Sequence, residues 1–227
     1  MKLFKTLFFL LLSAFSAFAG DSTKVEFKRF AVGITASPDY SYRTRSVNKT
    51  YYSNETPSFG YTGGIDLTWF SKKQFSFSLG LQFSQKGFVS KDQWTYDVTG
   101  ELANRFDERS NFNYIEIPLK MTIYAGKGKV RLLISPGITP AFLLYERSIR
   151  KYLGEGHKHV EREDPNYIYS PFNLFASIGF GEDVKLGKNA GLQVIPTFNY
   201  GLLELGNSST SMHLWNASLN IRYYIQF

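Results

Sequence analysis

The chain has 227 residues, of which 43% are apolar and 17% aromatic, with a formal net charge of +7 and no cysteine. That apolar share excludes a disordered chain. The absent thiols exclude a disulfide scaffold, a Cys-ligated zinc, a thiol nucleophile and an acylated-cysteine anchor, and the charge excess is too mild to imply nucleic acid.

Met1 to Lys5 gives a short basic start, and residues 6–19 form an uncharged run of 14 that ends Ala17-Phe18-Ala19. A spanning helix needs roughly 20 apolar residues, so this pattern predicts a secretory signal peptide over 1–19, cleaved after Ala19. Losing Lys2 and Lys5 lowers the formal charge to +5 over the mature domain, 20–227.

The rest alternates with period two, which on a strand gives one apolar and one polar face. Eight such segments are expected, near 29–37, 59–70, 75–85, 112–124, 130–145, 171–186, 191–205 and 212–227. In the third, Phe75, Phe77, Leu79, Leu81 and Phe83 oppose Ser76, Ser78, Gly80, Gln82 and Ser84. The connectors alternate, long at 38–58, 86–111 and 146–170, short at 71–74, 125–129 and 187–190, and medium at 206–211. Long loops at one end and tight turns at the other predict an all-β, eight-stranded antiparallel up-and-down transmembrane β-barrel with both termini on the turn side.

Size decides which face is outside. The lumen of an eight-stranded barrel is just wide enough for side chains to fill. The apolar set is too large for it, whereas the opposite faces, with Gly33, Thr35, Gly64, Gly137 and Ser177, suit a narrow interior. By parity Arg29, Lys120, Arg131, Lys185 and Arg222 point inward, with Asp66, Glu116 and Asp183. Buried charges persist when paired and hydrogen-bonded, so a structural salt-bridge plug is expected; the alternative is a narrow channel for ions or small solutes. Aromatics near the segment ends (Phe59, Tyr61, Trp69, Phe70, Phe112, Tyr114, Tyr124, Tyr167, Tyr169, Trp215, Tyr223, Phe227) read as interfacial girdles. Pro118, Pro136, Pro140 and Pro196 fall inside strands and predict bulges or local irregularity. Glu182 falls on the lipid side.

Chemistry is sparse. His157 and His159 stand near Glu155, Glu161, Glu163 and Asp164; this reads as a solvated loop of mixed charge rather than a metal site. His213 near Ser209 and Ser211 is a thin version of a rim-located hydrolase, a third option with nothing in the sequence to orient it. Asn48, Asn54, Asn207 and Asn216 match the glycosylation pattern by chance. No enzyme activity, cofactor or metal is expected. The long loops are the expected contact surface, through Tyr40, Tyr42, Arg43, Arg45, Trp94 and Tyr96.

Two motifs carry a family resemblance. The end, with Leu219, Ile221, Tyr223, Ile225 and Phe227 at alternate positions, resembles the C-terminal signal of bacterial outer-membrane barrels, which implies insertion by the barrel-assembly machinery. Asn113-Tyr-Ile-Glu-Ile-Pro-Leu-Lys120, with the later Tyr200-Gly201-Leu202, resembles the PorT-like outer-membrane β-barrel family. That resemblance implies a place in the bacterial outer membrane. With the loop layout, the expected protein is a monomer with periplasmic termini and extracellular loops, whose Tyr and Arg residues suit lipids and lipopolysaccharide. Its expected role is surface contact, envelope integrity or that of an accessory of a secretion system.

Overall fold

A computed structural model describes residues 28–45, 54–96, 102–152, 158–163, 169–206 and 211–227. The leader at 1–19 lies outside these, as do Tyr51, Tyr52, Tyr167, His157, Ser209, Asn48 and Asn207. The strands are β1 (Phe30–Arg45), β2 (Asn54–Lys72), β3 (Phe75–Tyr96), β4 (Leu102–Glu116), β5 (Leu119–Ala125), β6 (Val130–Tyr152), β7 (Lys158–Glu163), β8 (Phe172–Lys185), β9 (Ala190–Gly201) and β10 (Met212–Gln226). All pairings are antiparallel, and β1 pairs with β10 from Ala31↔Gln226 to Arg45↔Met212, which closes the ring. β4 and β5 are one stave interrupted at Ile117-Pro118, because both pair with β3 and β6 in one register. The barrel therefore has eight staves, and β7 is an extra strand paired only with β6.

Alternation sets the two faces. On β1, Ala31, Thr35, Ser37, Asp39, Ser41 and Arg43 are buried, while Val32, Ile34 and Tyr40 are exposed. The apolar outer face continues through Leu67, Leu79, Leu81, Phe180, Ile221 and Ile225 on other staves. The short connectors are tight turns, and Gly126 and Gly128 hold positive φ angles of 99° and 125° in one of them, conformations a side chain disfavours.

Two expectations are corrected, on the long loops and the aromatics, and the one on the prolines is met in part. The regions read as long loops are mostly strand: β3 runs 22 residues and β6 runs 23, against the 9–11 that cross a bilayer. Their pairing continues past the membrane band because a hairpin satisfies every backbone donor and acceptor. The prolines bring local irregularity without shifting register. Pairing runs through Pro136 and Pro140 against β8 and through Pro196 against β10, but it lapses at Pro136 against β5 and at Pro196 against β8; Pro118 opens the gap between β4 and β5, and Gly80 makes room for it, since a Cβ there would stand 2.9 Å from the Pro118 ring. Phe70, Phe112, Tyr114 and Tyr124 are buried inside the barrel rather than in a girdle, and Tyr169 packs against the inner cluster. Phe59, Tyr61, Trp69, Tyr223 and Phe227 do face outward.

Candidate functional site

The lumen is the place where the chain gathers its buried charge. At the turn end, Arg131 of β6 stands opposite Asp183 of β8. Its Nε and Nη2 donate to Asp183 Oδ2 at 3.0 and 2.6 Å, and Nη1 donates to the Lys73 carbonyl at 2.9 Å. The other Asp183 oxygen accepts from the Tyr224 hydroxyl at 2.8 Å and from Gln193 Nε2 at 3.2 Å. The guanidinium lies 4.2 Å over the Tyr124 ring.

A second pair sits beside it. Arg222 Nε donates to Asp66 Oδ1 at 2.8 Å and Nη2 to Oδ2 at 2.5 Å, with Thr68 Oγ1 also accepting at 2.8 Å. Arg222 Nη1 donates to Gln193 Oε1 at 3.2 Å, so Gln193 joins the two pairs through its two amide ends. Gly33 leaves the space: a Cβ there would meet Arg222 Nε at 2.6 Å and Asp66 Oδ1 at 2.7 Å. Ala31, Phe70, Tyr124, Leu133, Ile195 and Tyr224 pack around this network as an apolar ring.

Farther along the lumen, Glu116 is bonded by Lys86 and accepts from Ser84 Oγ at 2.7 Å. Lys86 also lies 5.1 Å over the Phe175 ring. Asp39 is held by Thr62 and by Ser37 at 3.2 Å. At the hairpin end Arg43 pairs with Glu55 and lies 3.8 Å over Phe88. Phe88 belongs to a cluster with Phe112, Tyr114, Leu143, Phe175, Leu205, Met212 and Leu214 that fills this part of the lumen. Between the two packed regions, two small cavities of about 20 and 40 Å³ meet at Lys120, Pro118, Gln82 and Asn220.

Of the charges expected inside, Asp66, Glu116, Arg131, Asp183 and Arg222 form the pairs above. Lys120 lines both cavities and makes no ion pair among the described residues. Arg29 is a correction: it precedes β1 and is exposed, because the strand starts too late to carry it into the lumen. Lys185 is half-buried at the end of β8 and makes no ion pair among the described residues. Glu182 is half-buried and stands opposite Leu132 and Val194.

The lumen also holds groups that parity did not reach, namely Asp39, Arg43, Glu55, Lys86 and Glu146. They lie in spans read as loops, where inward and outward were not assigned. Among the expected contact residues, Arg43 is corrected from surface to lumen. Tyr40 is exposed against Phe59, with ring centroids 5.1 Å apart, and Tyr42 packs on Trp215 at 5.9 Å. Trp94 is exposed on β3, whereas Arg45 and Tyr96 are placed only as ends of β1 and β3. At the terminus Leu219, Ile221, Tyr223, Ile225 and Phe227 all face outward; Phe227 stacks on Phe30 at 6.3 Å, and its amide donates to the Phe30 carbonyl at 2.9 Å.

The rim histidine has partners too. Ser211 Oγ is 3.3 Å from His213 Nε2, and His213 Nδ1 is 3.0 Å from the Gly201 carbonyl. That carbonyl requires the proton on Nδ1, leaving Nε2 to accept from the serine. Among the described residues no carboxylate bonds His213, and no group of three His, Cys, Asp or Glu could hold a metal.

Residues 16–205 match the family model of the outer membrane protein beta-barrel domain. The chain belongs to that family. It is an outer-membrane β-barrel protein, and its exposed apolar band is the surface that meets lipid. Neisserial surface protein A is a similar solved structure, with 12% identity over 87% of this chain and 97% of that one and a TM-score of 0.45. OprG from Pseudomonas aeruginosa is 10% identical over 91% of this chain and 100% of its own, with a TM-score of 0.41. The outer membrane protease OmpT from Escherichia coli is 8% identical over 91% and 99%, with a TM-score of 0.44. No curated protein matches the chain.

Proposed function

We propose that this barrel is a non-enzymatic, closed outer-membrane protein of the PorT-like type. It acts in surface contact, envelope integrity or as an accessory of an envelope secretion system. The observation that carries this reading is the lumen: an aromatic cluster packs its hairpin end and two hydrogen-bonded ion pairs pack its turn end. A barrel filled in this way is a platform rather than a pore, and its working surface is the set of extended hairpins. In this reading the leader is removed after Ala19, the turns and termini are periplasmic and the hairpins stand outside. The barrel-assembly machinery reads the strand that ends at Phe227.

A second reading, a narrow solute path, is favoured by one observation: the two cavities meet at Lys120, an ammonium without an ion-pair partner among the described residues. A half-buried ammonium in this position is balanced by water or an anion. The Ser211–His213 pair is the basis of the hydrolase option, and it has no orienting carboxylate among the described residues.

The test is co-purification. A tag inserted at 153–157, followed by mild solubilisation and quantitative mass spectrometry, is expected to recover stoichiometric envelope proteins with the barrel. Recovery of the barrel alone, together with turnover of a lipid or peptide ester that His213→Ala abolishes, would replace the accessory reading with an enzymatic one.

A further inference from the structure

We propose that the turn end of this barrel is a cationic ring that docks an acidic face of a periplasmic protein. The proposal deepens the accessory reading and rests on its assignment of the turns and termini to the periplasm.

The ring is built from the connectors. The turn end has four corners: the β2–β3, β5–β6 and β8–β9 turns, and the place where β1 begins beside the end of β10. Each corner carries two cations. Lys72 and Lys73 stand at the first, and Lys127 and Lys129 at the second. Lys185 and Lys188 stand at the third, and Lys28 and Arg29 at the fourth. Lys28 and Lys185 are half-buried, and the others are exposed. No Asp or Glu occurs in 28–29, 71–74, 126–129, 185–189 or 226–227. None of these cations makes an ion pair among the described residues.

Turn geometry does not ask for such a ring. Tight turns favour Gly, Asn, Asp and Ser, and Gly126 and Gly128 meet that need in one of them. Asp serves a turn as well as Asn does, yet it is missing from every corner. The acids at this end sit within the staves. Asp183 is engaged by Arg131 and Tyr224, and Asp66 by Arg222. Glu182 stands opposite Leu132 and Val194. The hairpin end differs, since charge is mixed there and Arg105 pairs with Asp92 and Arg150 with Glu108. Charge of one sign gathered at one end of a protein repels itself and attracts the opposite sign from outside.

The anion that fits is a protein surface. Lipid headgroups lie beside the wall, whereas Lys73, Lys127 and Lys188 lie in the turns beyond the strand ends. Sugar polymers are gripped by stacking on exposed rings, and no aromatic residue occurs in 71–74, 125–129 or 186–189. Guanidinium forks suit phosphates, but this ring is lysine apart from Arg29. Lysine is a point charge on a flexible stem, which suits carboxylates scattered over a protein face. The backbone beneath is fixed before docking. Arg131 Nη1 donates to the Lys73 carbonyl at 2.9 Å, and the Lys185 amide to the Lys129 carbonyl at 2.8 Å. A preset ring loses less freedom on binding.

The test starts with the full chain in its native outer membrane. A photo-cross-linking residue replaces Gln74 or Asn189, the neutral neighbours of Lys73 and Lys188, and adducts from irradiated cells are identified by mass spectrometry. The same acidic periplasmic protein is expected at both positions. Once purified, it is expected to bind the barrel in phosphatidylcholine nanodiscs, with affinity falling as salt rises. Lys73→Gln with Lys127→Gln and Lys188→Gln is expected to weaken that binding at least tenfold, and arginine at the same three positions to preserve it. Binding that ignores salt or survives the triple glutamine change overturns the ring. So do adducts with phospholipid or peptidoglycan alone. Gel mobility checks folding; should the triple variant not fold, Lys127→Glu alone is expected to weaken binding severalfold, and wild-type affinity with it overturns the ring. The orientation is checked separately by Lys127→Cys, clean in a chain without cysteine, with an impermeant maleimide. Labelling is expected only after the outer membrane is permeabilised. That result without any protein adduct refutes the ring alone, and labelling on intact cells refutes the orientation beneath it.

Discussion

The turn half and the hairpin half of this barrel fill the same narrow lumen with different material. Near the turns, two arginine–aspartate pairs are tied together by Gln193 and ringed by Tyr124 and Tyr224. Near the hairpins, Phe88, Phe112, Tyr114 and Phe175 pack against Leu143, Met212 and Leu214, and the ion pairs lie along the edge of that cluster. The first half is held by directional bonds whose loss leaves a stranded charge. The second is held by packing, which tolerates substitution in proportion to the volume removed.

That difference can be broken most sharply at Asp183. Asp183→Ala removes the acceptor of Arg131, Tyr224 and Gln193 at once, and is expected to cost about 3–5 kcal/mol in denaturant unfolding from detergent micelles. Replacing both Arg222 and Asp66 with Met and Leu is expected to cost far less than either single loss, since no charge is then left unpaired. In the hairpin half, Leu214→Ala is expected to cost about 2–5 kcal/mol by the same assay, and it strands no charge. On the outer face, Leu79→Arg should cost about 2–4 kcal/mol if the residue lies mid-membrane, and Ser78→Ala almost nothing; equal tolerance at the two positions would contradict the assignment of faces. The smallest effect is expected beyond the membrane: Arg105 and Asp92 are paired at 2.5 Å but exposed, and Arg105→Ala should change stability by under about 1 kcal/mol.

The same contrast decides what could be read in the sequence. In the turn half alternation is unbroken, so Asp66, Arg131, Asp183 and Arg222 were placed inside by counting alone. Glu146 defeats that counting, because the bulge at Leu144 shifts the phase of β6 by one residue. Asp39, Arg43 and Lys86 were lost for another reason: their surroundings are too polar to look like membrane strand, yet the backbone goes on pairing there. Arg29 was misplaced because strand ends carry no signal of their own. The inner aromatics were misread as girdle residues, since a ring near a strand end has the same one-dimensional signature whether it faces lipid or lumen.

The central claim is that both plugs are closed at rest, and conductance in planar bilayers tests it most directly. Wild-type barrel, inserted at a density checked by quantitative immunodetection, is predicted to give no discrete current steps. Regular steps from wild type that change size in Lys120→Gln would show a continuous path past the two cavities and contradict the account.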